Sequence, residues 1–229
     1  MGTFVFVHGA WHGGEVWKDV IKELRDVGHE ASAITLTGLG ERKHLFCDLI
    51  DLQTHIQDVV AHIDTQGFDR VTLVGWSYGG MVIAGVLSRI TQRVRRMVYV
   101  DAFFPDDGKC LIDYVSKDGR DYIDEFKKKN QAVPPPPFEV FGMRDAKWIE
   151  FLKARISPQP WKTFYQPVRT YSRAAEIPTS YVYCRYEQTP FTDFYKTLKK
   201  EQLVKVFDIE TNHYCMLTHP QRLTKILLG

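Results

Sequence analysis

No apolar stretch in this 229-residue chain approaches the roughly 20 residues that a membrane span needs. The run nearest the start, Phe4-Val5-Phe6-Val7, is also too short for a signal-peptide core, so neither a membrane partner nor a leader is expected. A myristoylation start is missing as well, because Met1-Gly2 is followed by Phe at position 6 instead of Ser or Thr. Charge of one sign is absent: 30 Lys and Arg stand against 28 Asp and Glu, a net charge of +2, which points to no nucleic-acid partner. The one basic run, Lys127-Lys128-Lys129, sits among Asp121, Asp124 and Glu125 and reads as a solvated helix face. Cysteine is scarce. Cys47, Cys110, Cys184 and Cys215 have spacings that suit neither a zinc site nor a redox pair, so reduced thiols in a cytoplasm are expected.

What is present suits one globular domain over residues 1–229, as a monomer or homodimer. Phe4 to Val7 reads as a buried strand. Trp17 to Val27 has helical spacing, with Trp17, Val20, Ile21 and Leu24 on one face and Gly28 closing it. Glu30 to Leu36, Val71 to Gly75 and Met97 to Val100 follow as strands, with helices over Thr54 to Gln66 and Met81 to Arg89 between them. Strand and helix alternate, which predicts an α/β fold: a mostly parallel central sheet with helices on both faces. From Pro105 to Pro178 the alternation stops. That segment carries the run Pro134 to Pro137 and many aromatics, and Trp148, Ile149, Leu152 and Ile156 share one helical face. A structureless loop of that length is implausible, so a helical cap over a ligand pocket is expected there. Thr179 to Cys184 and Leu203 to Ile209 then read as strands, and Phe191 to Lys200 and Pro220 to Leu228 as helices.

The chemistry concentrates in Gly75-Trp76-Ser77-Tyr78-Gly79, which matches G-x-S-x-G. Five residues with two wildcards arise by chance; the setting between a strand and a helix makes this a nucleophile elbow with Ser77 exposed at the sheet edge. A serine hydroxyl needs a base. His213, on the loop after the last strand, is the candidate, and His219 reads as structural beside Pro220. His29, His44, His55 and His62 read as surface or helix positions, and His8 as a brace for its own loop. Two strand-end carboxylates compete for the supporting acid: Glu187 after Thr179 to Cys184, and Asp101 after Met97 to Val100. Glu187 is preferred and Asp101 stays open. The oxyanion donors should be the amide groups of Tyr78 and Ala10. Trp11, Trp76 and cap aromatics are the expected substrate contacts.

These residues carry a resemblance. Phe4-Val5-Phe6-Val7-His8-Gly9-Ala10-Trp11-His12-Gly13-Gly14, followed by Trp17, resembles the opening of α/β-hydrolases of the group of plant methyl-salicylate esterases, hydroxynitrile lyases and related bacterial esterases. Leu36-Thr37-Gly38-Leu39-Gly40-Glu41-Arg42 and Pro158-Gln159-Pro160 resemble the bacterial branch, and His213 to Pro220 the turn of the catalytic histidine. The resemblance covers nearly the whole chain. It implies an α/β-hydrolase fold with a cap at about residues 105–178, and a triad Ser77, Glu187, His213, although the family usually has Asp at the position of Glu187. The lysine that follows the histidine in the lyases is absent here, where Tyr214 and Cys215 stand. The implied activity is hydrolysis of a small carboxylic ester through an acyl-enzyme, with no metal or organic cofactor. A non-catalytic small-molecule receptor, or a triad enzyme acting on a lactone, thioester or carbon–carbon bond, is the alternative.

Overall fold

The computed structural model describes residues 1–172, 176–187, 189–200 and 204–229. The elements run β1 (Thr3–Val7), α1 (Lys18–Asp26), β2 (Glu30–Ile34), α2 (Leu52–Thr65), β3 (Val71–Ser77), α3 (Gly79–Ile90) and β4 (Val94–Ala102). Then come α4 (Lys117–Lys128), α5 (Ala146–Lys153), α6 (Lys162–Tyr165), β5 (Thr179–Cys184), α7 (Pro190–Leu198), β6 (Val204–Ile209), α8 (Cys215–Thr218) and α9 (Pro220–Leu228). Among the described residues the strands form one six-stranded sheet in the order β2-β1-β3-β4-β5-β6. Every neighbouring pair is parallel. Leu203, the expected start of the last strand, lies outside the described residues.

Residues alternate between two apolar layers because successive side chains of a strand point to opposite faces. Val5 and Val7, Leu73, Met97 and Tyr99, and Tyr181 and Tyr183 face one layer with α2, α3 and α7. Phe4 and Phe6, Val74, Val98 and Val100, and Val182 and Cys184 face the other, with Trp17, α1 and α9. A parallel sheet buried on both faces explains the near-continuous apolar strands in the sequence. Helix α3 is buried on nearly every side, which fits its position directly behind the central strands.

Local signals set the helix ends. Asp51 caps α2 by accepting from the Thr54 amide, and the Thr54 side chain answers to the Asp51 backbone. Gly28 ends α1 at φ +84, with its own N–H bonded to Arg25 O and that of His29 to Leu24 O. Among the described residues between β4 and β5 lie the cap helices α4, α5 and α6, and an antiparallel bridge joins Val133 to Gln159. Helix α5 covers Trp148, Ile149 and Leu152, with Ile156 just beyond it. The proline run leads into a tight turn over Phe138–Phe141. No helix among the described residues is long and apolar enough to cross a membrane.

Candidate active site

Strand β3 ends at Ser77 and α3 begins two residues later, so Ser77 sits on a sharp turn at the sheet's carboxyl edge. Its φ is +54, a left-handed conformation that costs a non-glycine residue about 1–3 kcal/mol. The turn fits because glycines stand two residues before the serine and two and three residues after it, and a Cβ on Gly75 would stand 2.7 Å from the carbonyl oxygen of Gly79. A Cβ on Gly80 would stand 2.0 Å from the carbonyl oxygen of Phe103. Trp11 (φ +67) and Asp101 (φ +42) are also left-handed, so three of the five described non-glycine residues with positive φ meet at this site.

The carboxylate that meets His213 is Asp101, which corrects the preference for Glu187. The sequence reading ends the fourth strand at Val100, whereas β4 continues to Ala102. Its pairing with β3 jumps from Trp76↔Val100 to Ser77↔Ala102, leaving Asp101 unpaired in a bulge. The bulge turns the carboxylate off the strand. Asp101 Oδ2 lies 2.6 Å from His213 Nδ1, and Oδ1 accepts from the Cys184 N–H at 3.1 Å. Both side chains are buried. Burial pushes the Asp101 carboxyl pKa up, while His213 and the Cys184 N–H pull it back. Glu187 instead points to the surface, 3.4 Å from Arg144. Reaching the histidine from its loop would desolvate a charge that water and arginine already satisfy.

His213 lies between β6 and α8. The Trp76 indole N–H donates to its carbonyl oxygen at 2.9 Å, and the two rings are 4.9 Å apart. Trp76 therefore holds the histidine loop from behind. It belongs to the buried layer and does not line the cavity, which corrects its placement among the substrate contacts. His219 is exposed at the start of α9.

The loop after β1 passes close to Ser77: a Cβ on Gly9 would stand 2.9 Å from the serine Cβ. Trp11 is tied to the cap. Its N–H donates to Gln159 Oε1 at 2.9 Å, its indole to Val133 O at 2.9 Å, and its carbonyl accepts from the Ser157 N–H at 2.9 Å. These ties hold the left-handed backbone in place. Among the described residues, neither the Ala10 nor the Tyr78 amide donates to another protein group, so both N–H groups stay available beside Ser77.

Three buried histidines brace this framework, and burial is the main cause of the low pKa of each. His8, held at about 3, binds Gly9 O through Nδ1 and accepts from the Leu36 N–H through Nε2. His12, at about 4, donates to Ala10 O at 2.6 Å. His55, at about 4, accepts from the Tyr78 hydroxyl at 2.8 Å and donates to Thr37 O at 2.9 Å. It is a helix position, on the buried face of α2. Its contact with Tyr78, the residue after Ser77, is invisible in the sequence and distinguishes it. Ser157 and Gln159, also missed, are buried polar cap residues whose signal is the Pro158-Gln159-Pro160 stretch.

A cavity of about 710 Å³ opens on Ala10, Ser77 and Tyr78. Trp11, Phe103, Phe141, Phe164 and Phe191 supply aromatic walls, and among the described residues the charged ones lining it, Asp118 and Asp193, are both acidic.

A parallel sheet with a serine elbow, a buried Asp–His pair and two free amide donors defines the class of protein. The chain belongs to the alpha/beta hydrolase family, whose model matches residues 4–226. It is 33% identical over 239 residues to the carbendazim hydrolyzing esterase of Nocardioides sp. (strain SG-4G), covering 99% of this chain and 98% of that protein. It is 24% identical to the polyneuridine aldehyde esterase of Rauvolfia serpentina, over 98% of this chain and 94% of that one. An extracellular alpha/beta-hydrolase from a Paenibacillus species has the same fold, with a TM-score of 0.86 at 23% identity over 100% of this chain and 98% of that one.

Proposed function

We propose that the chain is a carboxylic ester hydrolase that works through an acyl-enzyme on Ser77. The observation that carries this reading is the buried Asp101–His213 contact of 2.6 Å at the edge of the sheet that bears the serine elbow. Asp101 fixes the imidazole with its proton on Nδ1, which leaves Nε2 as the base. His213 takes the Ser77 proton as the oxygen attacks the ester carbonyl. The negative charge then rests on the N–H groups of Ala10 and Tyr78, a contribution worth roughly 10² to 10³ in rate for one donor. His213 returns the proton to the leaving alcohol, then activates water to release the acid. Water and the chain's own residues suffice for every step.

The cavity supports a neutral, apolar or aromatic ester. Its walls are aromatic, and its acidic side chains disfavour an anionic substrate and the carboxylate product alike. The 33% identical relative makes carbendazim one substrate to assay. Free cysteines are consistent with a cytoplasmic enzyme, which we retain as part of the proposal. The test is labelling with a fluorophosphonate, followed by turnover on aryl and alkyl esters. Label on Ser77, with loss of both label and turnover in Ser77→Ala, supports the reading. Label on another residue refutes it.

A further inference from the structure

We infer that Phe141 and Phe191 are positioning residues for His213, gripping its imidazole by the ring face and stabilising the imidazolium that forms during acylation. The inference rests on the hydrolase reading above. The Phe141 ring lies 5.2 Å from the imidazole centroid at 24°, and the Phe191 ring 5.0 Å away at 9°. Both phenyl groups line the catalytic cavity, while His213 itself does not. The histidine thus meets the cavity from among these rings.

The two phenyl groups come from different parts of the fold. Phe141 belongs to the cap turn, and its carbonyl oxygen accepts from the His213 N–H at 3.1 Å. Phe191 stands in the first turn of α7, on the sheet side. The next residue after Phe141 is Gly142, at φ +71, and a Cβ there would stand 2.8 Å from the Tyr186 ring, so the cap turn is closely seated. The Asp101 bond restrains the imidazole at one nitrogen only. Rings stacked on it at van der Waals range oppose tilting out of plane. The negative face of a phenyl ring within about 6 Å also attracts a cation, so the rings favour the protonated histidine over the neutral one. That preference appears as the serine proton arrives, when it lowers the barrier.

Other groups also act on the His213 charge: Asp101 from β4, His12 from the loop after β1, Tyr186 from the loop after β5, and the adjacent Tyr214. The test leaves them unchanged. Phe141→Leu and Phe191→Leu keep apolar bulk and remove the π face. Placing 3,4,5-trifluorophenylalanine at position 141 keeps the shape, weakens the negative face and guards against a folding failure. One readout is the acidic limb of kcat/KM on 4-nitrophenyl acetate. The other, independent of turnover, is the NMR titration of ¹³C-labelled His213 in a Ser77→Ala background. Loss of a ring's π face should move both midpoints to lower pH, by roughly 0.5 unit per ring, and Phe→Tyr should restore them. A fall in kcat with neither midpoint moved means packing alone and overturns the inference. An unmoved titration while fluorophosphonate still labels Ser77 refutes the phenyl role and leaves the hydrolase reading intact. Failure of that labelling refutes the hydrolase reading instead.

Discussion

Acid should unfold this protein earlier than its carboxylates alone would require, because His8, His12 and His55 are buried in the neutral form. Their pKa values lie at about 3, 4 and 4 against an ordinary 6.5. In the unfolded chain each takes up a proton as the pH falls through 6.5, while in the folded chain each stays neutral. Stability is therefore full above that value and is lost as the pH drops from there toward the folded pKa. At pH 5 the linkage relation gives a loss of about 2 kcal/mol for each histidine, or about 6 kcal/mol for the three. That is comparable with the whole stability of an ordinary domain, about 5–15 kcal/mol. Asp101 and Glu15 act with the opposite sign. Burial raises their pKa, so their protonated forms favour the fold at low pH and this contribution is lost as pH rises through the folded values. A single substitution separates the effects. In His55→Gln the amide oxygen can accept from the Tyr78 hydroxyl and the amide nitrogen can donate to Thr37 O, with no proton to gain. Urea unfolding at pH 7 and pH 5 gives the two stabilities for wild type and variant. The wild type should lose about 2 kcal/mol more than His55→Gln between these pH values. The same pH dependence in both proteins would refute the argument.

Asp101→Asn should lower kcat on the order of 10⁴-fold with little change in KM, whereas Glu187→Gln should stay within about twofold of wild type; steady-state kinetics of the pair reverses the assignment if Glu187 proves the sensitive one. His219→Ala should retain turnover, while His213→Ala should lose several orders of magnitude, of the kind found when members of a triad are removed; a sensitive His219 would remove His213 from its role. Gly9→Ala should slow acylation at least tenfold, because its Cβ would press on Ser77; fluorophosphonate labelling rates measure this, and an unchanged rate would show that the loop does not approach the serine. Gly80→Ala should fail to give a folded protein, since its Cβ would meet a backbone oxygen at 2.0 Å, and a native far-UV spectrum with normal stability would refute that.

The sequence alone determined the alternation of strands and helices, the elbow around Ser77 and the place of His213 after the last strand. Each is written in local pattern. A strand buried on both faces must be apolar along its length, an elbow needs small residues two positions either side of the serine, and both requirements leave marks on nearby residues. The choice between Asp101 and Glu187 left no such mark. Both are acids following apolar runs, and what separates them is a one-residue jump in the pairing of β3 with β4. That jump depends on how two strands 20 or more residues apart settle against each other. The same holds for Trp76 and His55. The first lies next to Ser77 in sequence but faces the layer behind the histidine loop. The second lies on α2, yet its imidazole meets the Tyr78 hydroxyl from another element. Burial and hydrogen bonding between distant segments are properties of packing, so only the tertiary structure decided these roles.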